Sequence, residues 1–266
     1  MKGLKVFAIV LFVAILGITS VTAQSLKGMS LNGATGLYSI PSGRIGWERS
    51  SDFGLDIGYH LIADGDYTTH IPKLAMSLFK WVEISGAFDI QPEERGTDFI
   101  IGAKVQFPLK KTALALGGNF QAIDLGKTGK FEHGDYKAGQ IYLAATYAGS
   151  FFDLPAETTV VLGKTFIEDN SNSNIDFGMG FDVVLFPKQF EGIVHWITDF
   201  ANFSYSADAI GAISGARGVL NTGLRFDMSR IKALEKFKFA IDILMTDAFD
   251  TNRAFSFGVV FGIPIL

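Results

Sequence analysis

The sequence predicts an all-β protein, a closed antiparallel transmembrane β-barrel of about twelve strands (10–14), exported to the cell outer membrane. Three observations predict it. The chain opens with the layout of an export signal. Its apolar residues then recur with period two in segment after segment. Polar turn sequences separate those segments at membrane-spanning intervals.

The opening is read first. Lys2 and Lys5 give a positive start, Val6 to Ile18 is an unbroken apolar run, and Val21-Thr22-Ala23 offers small residues for cleavage. This is the organisation of a secretory signal peptide, expected over residues 1–23. The apolar run is short for the roughly 20 residues a spanning helix needs. Cleavage after Ala23 would leave Gln24 to Leu266. Losing Lys2 and Lys5 takes Lys+Arg from 23 to 21, against 27 acidic residues, for a net charge of −6. An acidic chain argues against nucleic acid as a partner. Zero cysteine excludes a disulfide framework, a thiol-based site and lipid attachment at an N-terminal cysteine.

Beyond the signal, the period is two. In Asn174 to Phe186, Ile175, Phe177, Met179, Phe181, Val183 and Leu185 fall on one face. Asp176, Gly178, Gly180, Asp182 and Val184 fall on the other. A strand turns successive side chains to opposite faces, so one face is greasy and the other polar or small. Phe53, Leu55, Ile57, Tyr59 and Leu61 repeat this against Gly54, Asp56, Gly58 and His60. Phe255, Phe257, Val259, Phe261 and Ile263 repeat it against Ser256, Gly258, Val260 and Gly262. Similar stretches lie near 82–90, 98–108, 112–123, 138–148, 157–167, 190–203, 217–228 and 236–247, with a weaker one at 73–80. With 53–62 first and 254–266 last they make twelve, and an even number is usual for single-chain outer-membrane barrels.

Turn chemistry lies between them. Short connections (Pro108 to Lys111, Asp153 to Ala156, Pro187-Lys188-Gln189) alternate with long ones (Gly126 to Lys137, Ala207 to Ala216). Such barrels have short periplasmic turns and longer outer loops. Arg230 to Lys236 is expected as a helical turn at the periplasmic rim. The second face is rich in Gly, Ser, Ala, Asn and Asp, which suits the crowded wall of a narrow barrel better than the wet face of a secreted β-sandwich, the soluble alternative. Tyr38, Trp47, Trp81, Tyr147, Phe152, Phe186, Trp196 and Phe249 sit near strand ends and fit interfacial girdles. The domain division is then 1–23 signal, 24–50 a periplasmic or plug segment, and 51–266 the barrel.

Residues Gly36-Leu37-Tyr38-Ser39-Ile40-Pro41-Ser42-Gly43-Arg44 carry a resemblance. They are similar to the start of YjbH-like outer-membrane proteins linked to exopolysaccharide production, in which Gly-Leu, Pro and Arg precede the first strand in like order. The stretch at Trp81-Val82-Glu83 is also similar. The resemblance implies an envelope polysaccharide role and no catalytic residues. Family members are often longer and lipid-attached, and this chain departs from both.

Candidate site residues come from the inward face. Asp56, Glu83, Asp89, Asp176, Asp182, Asp227 and Asp242 oppose Lys104, Arg225 and Lys238, which gives a mildly cation-attracting lumen if it is open. A passive diffusion pore is therefore an alternative function. Arg44, a lone cation after Pro41, is the candidate contact pinning the N-terminal segment. Of the histidines, His60 and Asp56, like His195 and Asp199, share an i, i+4 spacing. On a strand that spacing is roughly 13 Å, so neither pair touches within its own strand. His70 and His133 read as solvated loop residues. No nucleophile motif or clustered metal spacing accompanies them, so neither catalysis nor a cofactor is expected. The partners expected are outer-membrane lipid, the barrel-insertion machinery, and polysaccharide or small solutes.

Overall fold

The computed structural model describes residues 28–48, 51–63, 67–91, 97–123, 136–167, 175–202, 218–249 and 253–265. The signal peptide expected at 1–23, most of the polar loops and His133 lie outside the described residues.

Twelve antiparallel strands close into one barrel. They are β1 (Phe53–Ala63), β2 (Thr68–Leu78), β3 (Val82–Ile90), β4 (Thr97–Pro108), β5 (Thr112–Ile123) and β6 (Tyr136–Phe151). The circuit continues through β7 (Leu154–Ile167), β8 (Asp176–Val184), β9 (Val194–Ala201), β10 (Val219–Asp227), β11 (Lys238–Thr246) and β12 (Ala254–Pro264). Each pairs with its sequence neighbours, and β1 pairs with β12 from Gly54↔Pro264 to Ala63↔Phe255 to complete the ring. Closure leaves no unpaired strand edge, which a sheet in hydrocarbon requires. Pro264, which lacks an N–H, sits at the far end of the seam, where a strand tolerates it.

Burial alternates as the sequence does. Along β1, Gly54, Asp56, Gly58 and His60 are buried, while Ile57 and Tyr59 are exposed. Phe88, Ile101, Leu116, Phe120, Ile141, Phe166, Phe255 and Phe257 are likewise exposed on the outer wall. So much contiguous apolar exposure is foreign to a soluble surface and belongs against lipid. The molecule is an outer-membrane barrel protein.

The short connections lie on one rim. Two of them are tight turns with both central residues at positive φ, Phe79-Lys80 (54° and 64°) and Phe152-Asp153 (46° and 65°). That matches the twist of flanking strands, though such positions usually carry Asn or Gly. The segment after β10 forms two short 3-10 turns, Met228–Arg230 and Lys232–Leu234.

Three expectations need correction. Tyr38 and Trp47 are not girdle residues. They precede the first strand, and the chain there runs inside the barrel, leaving them 2% and 6% exposed. His70 is not in a loop but on β2, where its Nδ1 lies 2.5 Å from the Tyr59 hydroxyl on the outer face. The inner wall is not uniformly small and polar. Ile62, Ile71, Ile100, Val161, Ile197 and Leu244 all point inward and are buried.

Candidate functional site

The site is the lumen, and residues 28–47 fill it. The segment is irregular, with two isolated bridges, Met29↔Thr35 and Gly36↔Pro41. Irregular backbone carries donors and acceptors that no sheet satisfies, and buried ones must find partners. Here the wall's charged side chains supply them.

At the short-turn rim the Trp47 indole N–H donates to Asp56 Oδ1 at 2.8 Å, and Lys238 Nζ meets Asp56 Oδ2 at 2.5 Å. Lys238 also sits 5.3 Å from the Trp47 ring centroid. Gly54 leaves room for that indole, since a Cβ there would fall 2.2 Å from Trp47 Cγ. Arg44 is 4% exposed and lies between Glu48, at 3.0 Å, and Glu157 on β7, at 2.9 Å. Gln106 on β4 accepts from Ile45 N–H at 2.8 Å and donates to Glu48 at 2.6 Å.

Deeper in, Glu83 accepts from Thr35 N–H (2.8 Å), Thr35 Oγ1 (2.6 Å) and Gly46 N–H (3.0 Å). Lys104 pairs with Glu83 at 3.1 Å and donates to the carbonyls of Thr35 and Ser42. Lys73 donates to the carbonyls of Met29 and Ser30 at 3.1 and 3.0 Å, and its Nζ is 2.7 Å from His60 Nδ1. Arg225 grips Asp242 through Nε and Nη2 at 2.7 and 2.9 Å and reaches the Gly36 carbonyl at 3.4 Å. Asp199 accepts from Tyr38 N–H (2.9 Å), Ser39 N–H (2.7 Å), Ser39 Oγ (2.9 Å) and Asn221 Nδ2 (2.8 Å).

An apolar layer reinforces these contacts. Leu31, Leu37, Tyr38 and Ile40 of the segment pack with Ile62, Ile71, Ile100, Val161, Ile197 and Leu244 of the wall. Wall glycines make the fit close. A Cβ at Gly178 would lie 2.6 Å from Ile40 Cγ2, and one at Gly180 would lie 2.5 Å from Leu37 Cδ1.

The inward charges named from the sequence divide accordingly. Asp56, Glu83, Lys104, Arg225 and Lys238 are brought together around the segment, and Asp242 joins them through Arg225 and His60. Asp182 pairs with His195 Nδ1 at 2.5 Å, and His195 Nε2 lies 2.9 Å from the Gly192 carbonyl. Asp176 accepts from Thr165 at 2.5 Å and Gln140 at 3.2 Å, and Asp227 accepts from Ser229 near the 3-10 turns. Asp89 faces Asp98 across β3 and β4 and is not part of the segment's contacts. The three described histidines find partners on other strands, not at i+4.

Sequence reasoning missed Lys73, Asp98, Glu157 and Asp199 as inward charges. Alternation carried the signal for each. Lys73 was obscured by the uncertain start of its strand, and Asp199 was considered only as a partner for His195.

No protein-family model matches the chain, and no curated protein matches it. Solved structures do. The KdgM porin is similar at 7% identity and a TM-score of 0.51, over 79% of this chain and 99% of that one. The outer membrane protein Omp33 of Acinetobacter baumannii gives 8% identity and a TM-score of 0.43, over 81% and 98%. LpxR from Salmonella typhimurium gives 9% identity and 0.45, over 79% and 100%. At such identities the likeness is one of fold.

Proposed function

We propose that this protein is a self-sealed outer-membrane barrel, whose lumen passes solutes only when residues 28–47 are displaced. The single observation behind this reading is that wall charges on opposite sides of the barrel are bound to the segment's own backbone. Glu83, Lys73, Lys104, Asp199 and Arg225 all contact main-chain amides or carbonyls. Water-filled passage and those contacts exclude each other.

Cleared of the segment, the lumen would attract cations. The inward strand residues include the carboxylates Asp56, Glu83, Asp89, Asp98, Glu157, Asp176, Asp182, Asp199, Asp227 and Asp242. Among the described strand residues, the inward lysines and arginines are Lys73, Lys104, Arg225 and Lys238. Fixed charge of one sign along a pore enriches the opposite ion.

Planar-bilayer recording tests the reading. The full chain should be silent, and a variant lacking residues 28–47 should give cation-selective steps. Should that deletion fail to insert, a weakened segment contact (Asp199→Ala) reads the same quantity as transient openings. Steady conductance from the full chain would refute the seal.

A second reading, association with envelope polysaccharide, is favoured by the similarity of Gly36 to Arg44 to YjbH-like proteins. Those same residues supply much of the seal, so the two readings are compatible. Unchanged surface polysaccharide after loss of the protein would count against it. In either case the apolar wall would be solvated by outer-membrane lipid, and the alternating β12 would be the strand offered to the insertion machinery.

A further inference from the structure

The two rims of the barrel carry opposite charge. At the short-turn rim, the connections 79–81, 109–111, 152–153, 185–193 and 228–237 hold seven basic residues against three acidic, a net +4. At the other rim, the connections 64–67, 91–96, 124–135, 168–175, 202–218 and 247–253 hold five basic against twelve acidic, a net −7. Closing a sheet does not require that separation. Fixed charge at a membrane surface instead selects among lipid headgroups.

The basic excess includes a folded feature between β10 and β11. Asp227 Oδ1 accepts from Ser229 N–H at 3.2 Å and caps the first 3-10 turn. The N–H groups of Ile231, Leu234 and Phe237 then donate to the carbonyls of Met228, Ile231 and Leu234, at 3.1, 2.8 and 2.9 Å. The segment is therefore a shelf with its own hydrogen bonds. Arg230, Lys232 and Lys236 are exposed on it. Arg230 lies 3.4 Å from Asp227, while Lys232 and Lys236 make no ion pair among the described residues. Phe237 stacks on Phe261 of the lipid-facing wall, with ring centroids 5.6 Å apart. Ile231 is also exposed. The Asp227 N–H donates to the Ile193 carbonyl at 2.7 Å and ties the shelf to the β8–β9 turn. That turn adds Lys188, between the exposed Phe186 and Phe190.

We propose that residues 228–237 form a binding shelf for the headgroups of anionic phospholipid in the leaflet at the short-turn rim. Stacking on Phe261 fixes the depth. It sets the shelf where the apolar wall ends, so its cations lie level with lipid phosphates. Aromatic and aliphatic side chains beside Lys and Arg at one boundary are the composition of an interfacial anchor. An acidic soluble partner would approach along the barrel axis and leave Phe237 and Ile231 unused. The assignment rests on the barrel lying in a membrane and not on whether its lumen opens.

The test uses the full chain in zwitterionic detergent, with phosphatidylglycerol or phosphatidylethanolamine added as mixed micelles. Native mass spectrometry counts bound lipid, and thermal unfolding reads its effect. The wild type should retain phosphatidylglycerol and unfold at a higher temperature with it than with phosphatidylethanolamine, and added salt should shrink the difference. Lys232→Gln with Lys236→Gln should weaken phosphatidylglycerol binding by about 30-fold. Both side chains are exposed, so this variant keeps its fold, which heat-dependent gel mobility checks. Lys110→Gln with Lys111→Gln, half a circuit away on the same rim, removes the same charge and should change binding little. Equal retention of the two lipids by the wild type would overturn the shelf, and so would equal losses in the two double variants. A wild type indifferent to phosphatidylglycerol but stabilised by soluble polyglutamate would also overturn it, and would make the surface one for docking an acidic protein.

Discussion

Asp199→Ala is the sharpest probe of how the segment is held. The carboxylate is 1% exposed and accepts three hydrogen bonds from the segment, two from main-chain amides and one from Ser39 Oγ. Removing it strands those donors inside the lumen, with the Asn221 amide beside them. A hydrogen bond to a charged group contributes about 1.5–3 kcal/mol, and a stranded buried donor costs about 1–3 kcal/mol. Water entering the gap offsets part of this, so about 3–4 kcal/mol is a reasonable total for the three bonds. At about 1.4 kcal/mol per factor of ten, the displaced fraction should rise by roughly 100- to 1,000-fold. Hydrogen exchange in detergent micelles reads this directly. The amides of Tyr38 and Ser39 should exchange that much faster, while strand amides of β5 and β6, far from the change, keep their protection. Bilayer recording of the same variant should show brief openings. Unaltered exchange at Tyr38 and Ser39 would refute the reasoning, because it would mean that wall charges do not hold the segment.

Other substitutions test separate parts of the same packing. Gly178→Ala should destabilise by about 1–3 kcal/mol through overpacking against Ile40, and the double variant with Ile40→Ala should lose less than the sum of the two singles in urea titration. Lys238→Met leaves Asp56 buried with only the Trp47 indole as a hydrogen-bond partner and should cost about 3–5 kcal/mol, whereas Lys238→Met with Asp56→Leu should recover much of the loss; heat-dependent gel mobility ranks the three. Gly33→Ala should loosen the segment by about 1–3 kcal/mol, since Gly33 has φ of 90° and a Cβ there would meet the Gly86 carbonyl oxygen at 2.5 Å; faster exchange at the Ser30 and Gly33 amides reports it.

The wall was legible because its physics is local. Alternation depends on neighbours two residues apart, so β3 and β5 are found at their observed limits, and all twelve strands are recognised. Misjudged limits have local causes too. β2 begins at Thr68, earlier than its alternation suggests, because Pro72 interrupts the pattern while still sitting opposite Tyr59. β6 runs on to Phe151, past the expected limit at 148, because Gly149 and Ser150 continue the ladder without an apolar side chain to mark it. β9 starts only at Val194, because Glu191 and Gly192 take positive φ and form the turn. The lumen was harder, since its contacts join residues far apart in the chain. Asp199 meets Ser39 across 160 positions and Lys238 meets Asp56 across 182, and no spacing rule reaches that distance. Arg44 stood out because it was a lone cation in a short polar stretch, but its partner Glu157 could not be named without the register.

The way the segment is attached limits what displacement can achieve. Trp47 is seated in the lumen and β1 begins at Phe53, so only a few residues tether the segment to the wall. A ligand on so short a tether has an effective concentration in the millimolar range or above. Losing one contact therefore raises the frequency of openings far more than their duration, because the segment returns to the same site. Sustained passage needs several contacts broken together, or the segment held outside by something that binds it better than the wall does. The wall sets a high standard for such a competitor. It satisfies the segment's backbone with buried charges and accommodates Ile40, Leu37 and Trp47 at glycine positions. A partner that clears this lumen must supply comparable backbone hydrogen bonds, and an extended polar peptide or strand edge is the kind of surface able to do so.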